Sequence, residues 1–212
     1  MAHNIRGLLF DLDGVIIDSE TEYSKIWRHI NEVFPTGVPD LERVIKGCTL
    51  TSILTTYFPE NQREEVKEML YRLEGEMRYY YAPGGREILL RAREAGIPAA
   101  LVTSSDDIKM SHLYEQIPEL RGMFTAIVTA GDISRSKPDP EGYLLGASRL
   151  GLDASQCIVF EDSLQGLEAG RRAGAHLVAI ASTLGRDRVA DKAPIVVDDL
   201  SQINLNSLLN SL

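Results

Sequence analysis

The feature that most constrains this chain is a series of short, continuous apolar runs, each ending in polar residues or a turn. They are IRGLLFD (5–11), PAALVT (98–103), FTAIVT (124–129), CIVFED (157–162), HLVAIA (176–181) and PIVV (194–197). Runs this short, without polar alternation, suit strands buried on both faces. Between the later runs lie segments of helical period, REILLRAREAG (86–96), PEGYLLGASRLG (140–151) and SLQGLEAGRRAG (163–174), each closing on a glycine suited to a helix C-cap. Strand and helix in alternation predict an α/β fold, a Rossmann-like, doubly wound, mostly parallel sheet.

The alternation fails once. Between the first run and residue 84, WRHINEVF, LERVIKG, LTSILTTYF and REEVKEMLYRLEGEMRYYY read as helices, the last one long and carried through Tyr79, Tyr80 and Tyr81, with Pro83-Gly84-Gly85 marking the exit. The expected organisation is a core of residues 1–17 and 84–212 with a small all-helical cap of residues 18–83. The two crossings, near Asp18 and near Pro83, suit hinged closure over a site.

Composition narrows the function classes. With 22 basic against 31 acidic side chains among 212 residues, the net charge is −9, which opposes nucleic-acid binding, and a 44% apolar content rules out disorder. No stretch nears the ~18 consecutive apolar residues that span a bilayer, and no secretory leader is apparent, so a cytoplasmic protein without membrane contact is expected. Cys48 and Cys157 match no metal or redox spacing, and His3, His29, His112 and His176 form no cluster. Any metal is therefore expected to be held by oxygen.

Three strand ends and one Lys-Pro pair carry the candidate chemistry. The first strand runs into DLDGVIIDS, where Asp11 and Asp13, two apart in extended chain, face one side of the sheet's carboxyl edge. Alone, such a pair is as readily a turn and a cap. The second ends in Thr103-Ser104-Ser105, a hydroxyl and backbone N–H groups before a helix, suited to an anion. SKPDP supplies Lys137 against Pro138, and CIVFEDS ends in Glu161 and Asp162. The coincidence of these four in order points to phosphoryl transfer. Asp11 suits a nucleophile that forms an aspartyl phosphate, and Asp13 an acid that protonates the leaving oxygen and later deprotonates water. Crowded carboxylates call for a hard cation, Mg²⁺, held by Asp11, the Asp13 carbonyl and Asp162 with Glu161 close by. Thr103, the Ser104 N–H and Lys137 would then face the phosphoryl oxygens.

In these motifs, DLDGVIIDS, the strand ending in Thr103, Lys137 in SKPDP, and FEDSLQGLEAGRRAG (160–174), the chain resembles the haloacid dehalogenase superfamily, in its group of β-phosphoglucomutases and sugar phosphatases. The resemblance covers nearly the whole chain. It implies Asp11 as nucleophile, Asp13 as acid/base, Thr103 and Lys137 as phosphate ligands, Asp162 as metal ligand, and the helical insert as a mobile cap. Within the cap, Lys46 and Gly47 fall in a segment similar to one that β-phosphoglucomutases present to substrate. Those mutases follow it with an arginine, where this chain has Leu50, and carry a histidine where it has Tyr23. An apolar Leu50 cannot clamp a second phosphate, so a phosphatase of a small sugar, polyol or glycolate-type phosphate is expected. A phosphomutase is the alternative, and a non-catalytic phosphate-binding regulatory module is a remote one. Trp27 and Phe34 read as cap core. A complete site in one chain is compatible with a monomer.

Overall fold

Each apolar run becomes a strand, because a parallel sheet covered by helices on both faces buries its central strands throughout and leaves the edge strands partly exposed. The computed structural model describes residues 5–211, and His3 lies outside them. The strands are β1 (Gly7–Phe10), β2 (Ala99–Val102), β3 (Ala126–Val128), β4 (Cys157–Glu161), β5 (His176–Ile180) and β6 (Ile195–Val197). They form one six-stranded sheet in the order β3-β2-β1-β4-β5-β6, with every neighbouring pair parallel. The winding reverses at β1 and β4, so their carboxyl ends open the crevice in which such sheets bind ligands.

The helices are α1 (Glu20–Val33), α2 (Leu41–Val44), α3 (Leu50–Tyr57), α4 (Arg63–Glu74), α5 (Gly85–Glu94), α6 (Asp107–Gln116), α7 (Glu141–Arg149), α8 (Leu164–Ala173), α9 (Arg186–Val189) and α10 (Leu205–Ser211). Gly96, Gly151 and Gly174, the expected helix stops, all have positive φ. Strand side chains alternate between the two faces. Leu8, Phe10, Leu101, Phe160 and Val178 join α5, α6 and α10 on one side, while Leu9, Ala100, Val102 and Val159 join α7 and α8 on the other. Phe10 stacks on Phe160 with ring centroids 4.6 Å apart. Apolar residues of α1–α4, including Trp27, Ile30, Ile53 and Leu70, continue the first of these clusters without a break. Trp27 packs beside Phe58, and Phe34 is half-buried against the same cluster. No helix among the described residues is long and apolar enough to cross a membrane.

One expected element differs. The helix drawn through the tyrosines stops at Glu74, and the chain beyond it becomes extended. Tyr81 bridges Ile17 in antiparallel fashion, the Asp18 N–H donates to the Tyr80 carbonyl at 2.9 Å, and the Ala82 N–H donates to the Ile16 carbonyl at 2.9 Å. Gln116 serves the returning segment as a strand neighbour would: its amide donates to the Met77 carbonyl at 2.9 Å and accepts from the Tyr79 N–H at 3.1 Å. These partners outweigh local helical preference. The two crossings expected near Asp18 and Pro83 are thus hydrogen-bonded to each other.

Candidate active site

The site starts where β1 ends. The Asp11 N–H still donates to the Phe160 carbonyl at 3.1 Å, so the chain keeps strand register one residue past Phe10 before it turns. The turn is closed by the Leu12 carbonyl, which accepts from the N–H groups of Ile16 and Ile17, both at 2.9 Å. Gly14 has φ +75°, and a Cβ there would lie 2.0 Å from Asp162 Oδ2, so no other residue fits this corner unstrained. Asp11 and Asp13 both line a cavity of about 110 Å³ at the carboxyl edge of the sheet, with Thr103, Ser104, Lys46, Gly47 and Asp162.

Lys137 and Glu161 do not line that cavity. Lys137, followed by a cis bond to Pro138, donates to Asp11 Oδ1 at 2.5 Å, Glu161 Oε1 at 2.5 Å and the Val102 carbonyl at 3.2 Å. An ammonium has three protons, and these three acceptors take them all. Lys137 therefore anchors Asp11. Burial opposes the charge on Lys137, but the two carboxylates hold its pKa above the ordinary value. Burial, joined by the charges of Glu161 and Asp13 and opposed by Lys137, pushes the Asp11 carboxyl up to about 7.

Glu161, fully buried, gives both oxygens to protein donors. Tyr143 Oη donates to Oε1 at 2.8 Å, while the Asp162 N–H, Ser163 N–H and Ser163 Oγ donate to Oε2 at 3.0, 3.0 and 2.9 Å. Gly166 makes room for it, since a Cβ there would stand 1.7 Å from Oε1. Asp162 accepts from the Thr183 hydroxyl, and burial together with Glu161 and Asp11 holds its carboxyl well above the usual range. Ser163 caps α8, accepting from the Gly166 N–H at 3.0 Å.

Asp11, Glu161 and Asp162 bring one carboxylate oxygen each within 4.8 Å of one another, all buried. One ammonium, Lys137, is hydrogen-bonded within this trio. Three buried carboxylates against one cation, with oxygens as the only donors, fit a hard divalent cation. Because Glu161 is committed to protein donors, Asp11 and Asp162 are the side chains available to it.

Asp13 faces a different set of partners. Its carboxylate accepts from the Ser19 hydroxyl, from Ser105 Oγ at 3.3 Å and from Lys109 Nζ at 2.6 Å. Burial works to raise its pKa, but Lys109 prevails and holds it below the ordinary carboxylate value. Thr103 is buried, and its hydroxyl accepts from the Ser105 N–H at 3.0 Å. The helix after this strand starts only at Asp107, with Asp106 as its cap, accepting from the Lys109 N–H at 3.0 Å.

Helices α1 to α4 and the chain between them cover the opposite side of the cavity. Ser104 Oγ donates to the Gly47 carbonyl at 2.8 Å, Gln165 Nε2 to the Val44 carbonyl at 3.0 Å, and Tyr71 Oη to Asp106 Oδ2 at 2.6 Å. Burial draws the Lys46 ammonium down to about 8 against the attraction of Asp162 and Asp13. Tyr23, Trp27 and Leu50 line the same cavity.

Lys109 and Glu74 were not singled out by motif, yet both line the cavity and both are buried. Each left a signal in the sequence. Lys109 lies in the first turn of α6, where the helix dipole disfavours a cation. Glu74 follows Val66 and Leu70 at spacings of four on the buried stripe of α4, where an acid is out of pattern.

Residues 8–180 match the family model described as haloacid dehalogenase-like hydrolase. The chain is 30% identical over 210 residues to hexitol phosphatase A of Escherichia coli (strain K12), covering 97% of this chain and 96% of that one. It is 32% identical to a phosphorylated carbohydrates phosphatase of Thermotoga maritima, over 80% of this chain and 82% of that one. Its fold matches the crystal structure of β-phosphoglucomutase from Clostridium difficile with a TM-score of 0.79 at 24% identity, over 96% and 95% of the two chains.

Proposed function

The chain belongs to the haloacid dehalogenase-like hydrolase family, and from that premise we propose that it is a phosphatase of small phosphorylated sugars or polyols, working through Asp11. The observation that carries this reading is the buried trio of Asp11, Glu161 and Asp162 with Lys137 at the switch point of the sheet. Relatives named for hexitol and carbohydrate phosphates support the substrate class. Leu50 and Tyr23 on the cavity wall, where a mutase would hold a cationic clamp, favour hydrolysis over transfer to a second site.

In this reading an Asp11 carboxylate oxygen attacks phosphorus and the bond from phosphorus to the ester oxygen breaks, while Asp13, ionised beside Lys109 and protonated as the anionic ester binds, gives that proton to the departing alcohol. Water then attacks the aspartyl phosphate, Asp13 takes a proton from it, and the bond to Asp11 breaks to release inorganic phosphate. Lys137 orients Asp11, and Glu161 orients Lys137. Thr103, Ser104, Lys46 and Gly47 surround the phosphate, with Lys46 charged below about pH 8. Asp11 and Asp162, with the Asp13 carbonyl, would hold Mg²⁺, and Glu161 would steady Asp162 through its N–H. A bound divalent cation supplies charge that favours the ionised carboxylates and offsets that of the phosphoryl oxygens. Residues 18–83 act as a cap on a core of 1–17 and 84–212, with the paired crossings at Ile17 and Tyr81 as the hinge.

The test is phosphate release from a panel of sugar, polyol and short carboxylate monophosphates, with and without Mg²⁺, beside Asp11→Asn. Metal-dependent release lost in the variant is expected. Conversion of β-glucose 1-phosphate to glucose 6-phosphate on addition of a bisphosphate primer, with no release, would overturn the hydrolase reading.

A further inference from the structure

We propose that Glu74 and Lys109 form a hydroxyl-binding subsite, in which Glu74 Oε2 accepts from, and Lys109 Nζ donates to, a hydroxyl on the carbon chain of a polyol or sugar phosphate whose phosphate lies at Asp11. The inference rests on the phosphatase reading and names the residues that would recognise a hydroxyl of such a substrate.

Glu74 is only 3% exposed, at the end of α4. Its Oε1 accepts from the Tyr23 hydroxyl, while its buried Oε2 has no hydrogen-bond partner among the described residues. A buried carboxylate oxygen left unpaired is costly, and Glu74 lines the same cavity as Asp11, so a donor entering that cavity removes the penalty. Lys109 comes from α6, on another wall. Its ammonium donates to Asp13 at 2.6 Å and lies 4.0 Å from the centre of the Tyr23 ring, and two further protons remain beyond the one given to Asp13. Acceptor and donor thus meet around one tyrosine.

The chemistry of the pair selects its ligand. A methylene would leave Glu74 unpaired, a substrate amine would face Lys109, and a substrate carboxylate would face Glu74. A hydroxyl both donates and accepts, and so matches both groups. The remaining wall, Trp27, Ile45, Leu50 and Ile53, is apolar and suits the C–H face of a carbon chain.

The experiment compares kcat/KM for glucitol 6-phosphate and n-hexyl phosphate, which share chain length but not hydroxyls, in the full chain and in Glu74→Gln. The wild type is expected to prefer the glucitol ester, and Glu74→Gln to lower that preference about tenfold, because the amide keeps one acceptor oxygen for which Tyr23 competes. Equal turnover of the two esters by the wild type, or an unchanged preference in a folded Glu74→Gln, would overturn the subsite. Failure of the wild type to release phosphate from these esters and from every member of the sugar, polyol and carboxylate panel would instead overturn the phosphatase reading, and the subsite with it. Should Glu74→Gln not fold, a series of monodeoxy glucitol 6-phosphates tests the wild type alone. A drop of about tenfold confined to one position supports the subsite, and losses spread evenly along the chain overturn it.

Discussion

Lys137 is held by three acceptors with almost no access to solvent, and that arrangement makes it a structural as well as a chemical requirement. Replacing it with methionine leaves Asp11 and Glu161 as neighbouring buried carboxylates with no cation between them, at a cost of about 3–5 kcal/mol measurable by urea denaturation, together with loss of phosphate release. Glu74 behaves in the opposite sense. Burial pushes its carboxyl from 4.5 up to about 7 against the pull of Lys109, so its proton stabilises the fold below pH 4.5, and that contribution is lost as pH rises through about 7. Glu74→Gln removes this titration. The variant is therefore expected to gain on the wild type between pH 4.5 and 7, by up to about 3 kcal/mol, in thermal or urea unfolding without divalent cation. A constant difference across that range would place the titration elsewhere. Asp11, Asp13, Thr103, Lys137, Glu161 and Asp162 could be picked from the sequence because each ends an apolar run or precedes a proline. Glu74 and Lys109 lie inside helices, where only a mismatch with the local pattern marks them.

At the level of elements, what holds the site is close approach of backbone to side chain. The N-terminal turns of α8 run directly over Glu161, and Gly166→Ala would drive a methyl group into that carboxylate. Since Glu161 is fixed by Lys137, Tyr143 and Ser163, it cannot move aside, and a loss of about 1–3 kcal/mol or more is expected on thermal unfolding, with activity falling too. The strands and the glycine-ended helices were legible because burial on both faces and the C-cap need particular residue types. The end of α4 was not. MRYYY has no helix breaker, and its extended course depends on Ile16, Asp18 and Gln116, which are remote in sequence. Alternation along that segment, with Tyr79 buried and Tyr80 63% exposed, follows from the pairing.

For the molecule as a whole, a cation held by the carboxylate trio, as proposed, would make folding and cation binding one linked equilibrium. Mg²⁺ is expected to raise the melting temperature, with a stabilisation of about 2.7 kcal/mol at a hundredfold excess over its dissociation constant, and Asp162→Asn to blunt that rise. An unchanged melting temperature across a Mg²⁺ titration would argue against the proposed ligand set. Read as sequence, the chain already determined its layered α/β architecture, its six strands and the polar groups that end the central ones, because burial and turn chemistry act through near neighbours. The tertiary structure alone decided that Lys137 sits under Asp11 instead of in the cavity, that Glu161 serves protein donors, and that Glu74 and Lys109 meet around Tyr23. Those outcomes depend on distances between segments far apart in the chain, which no local pattern encodes.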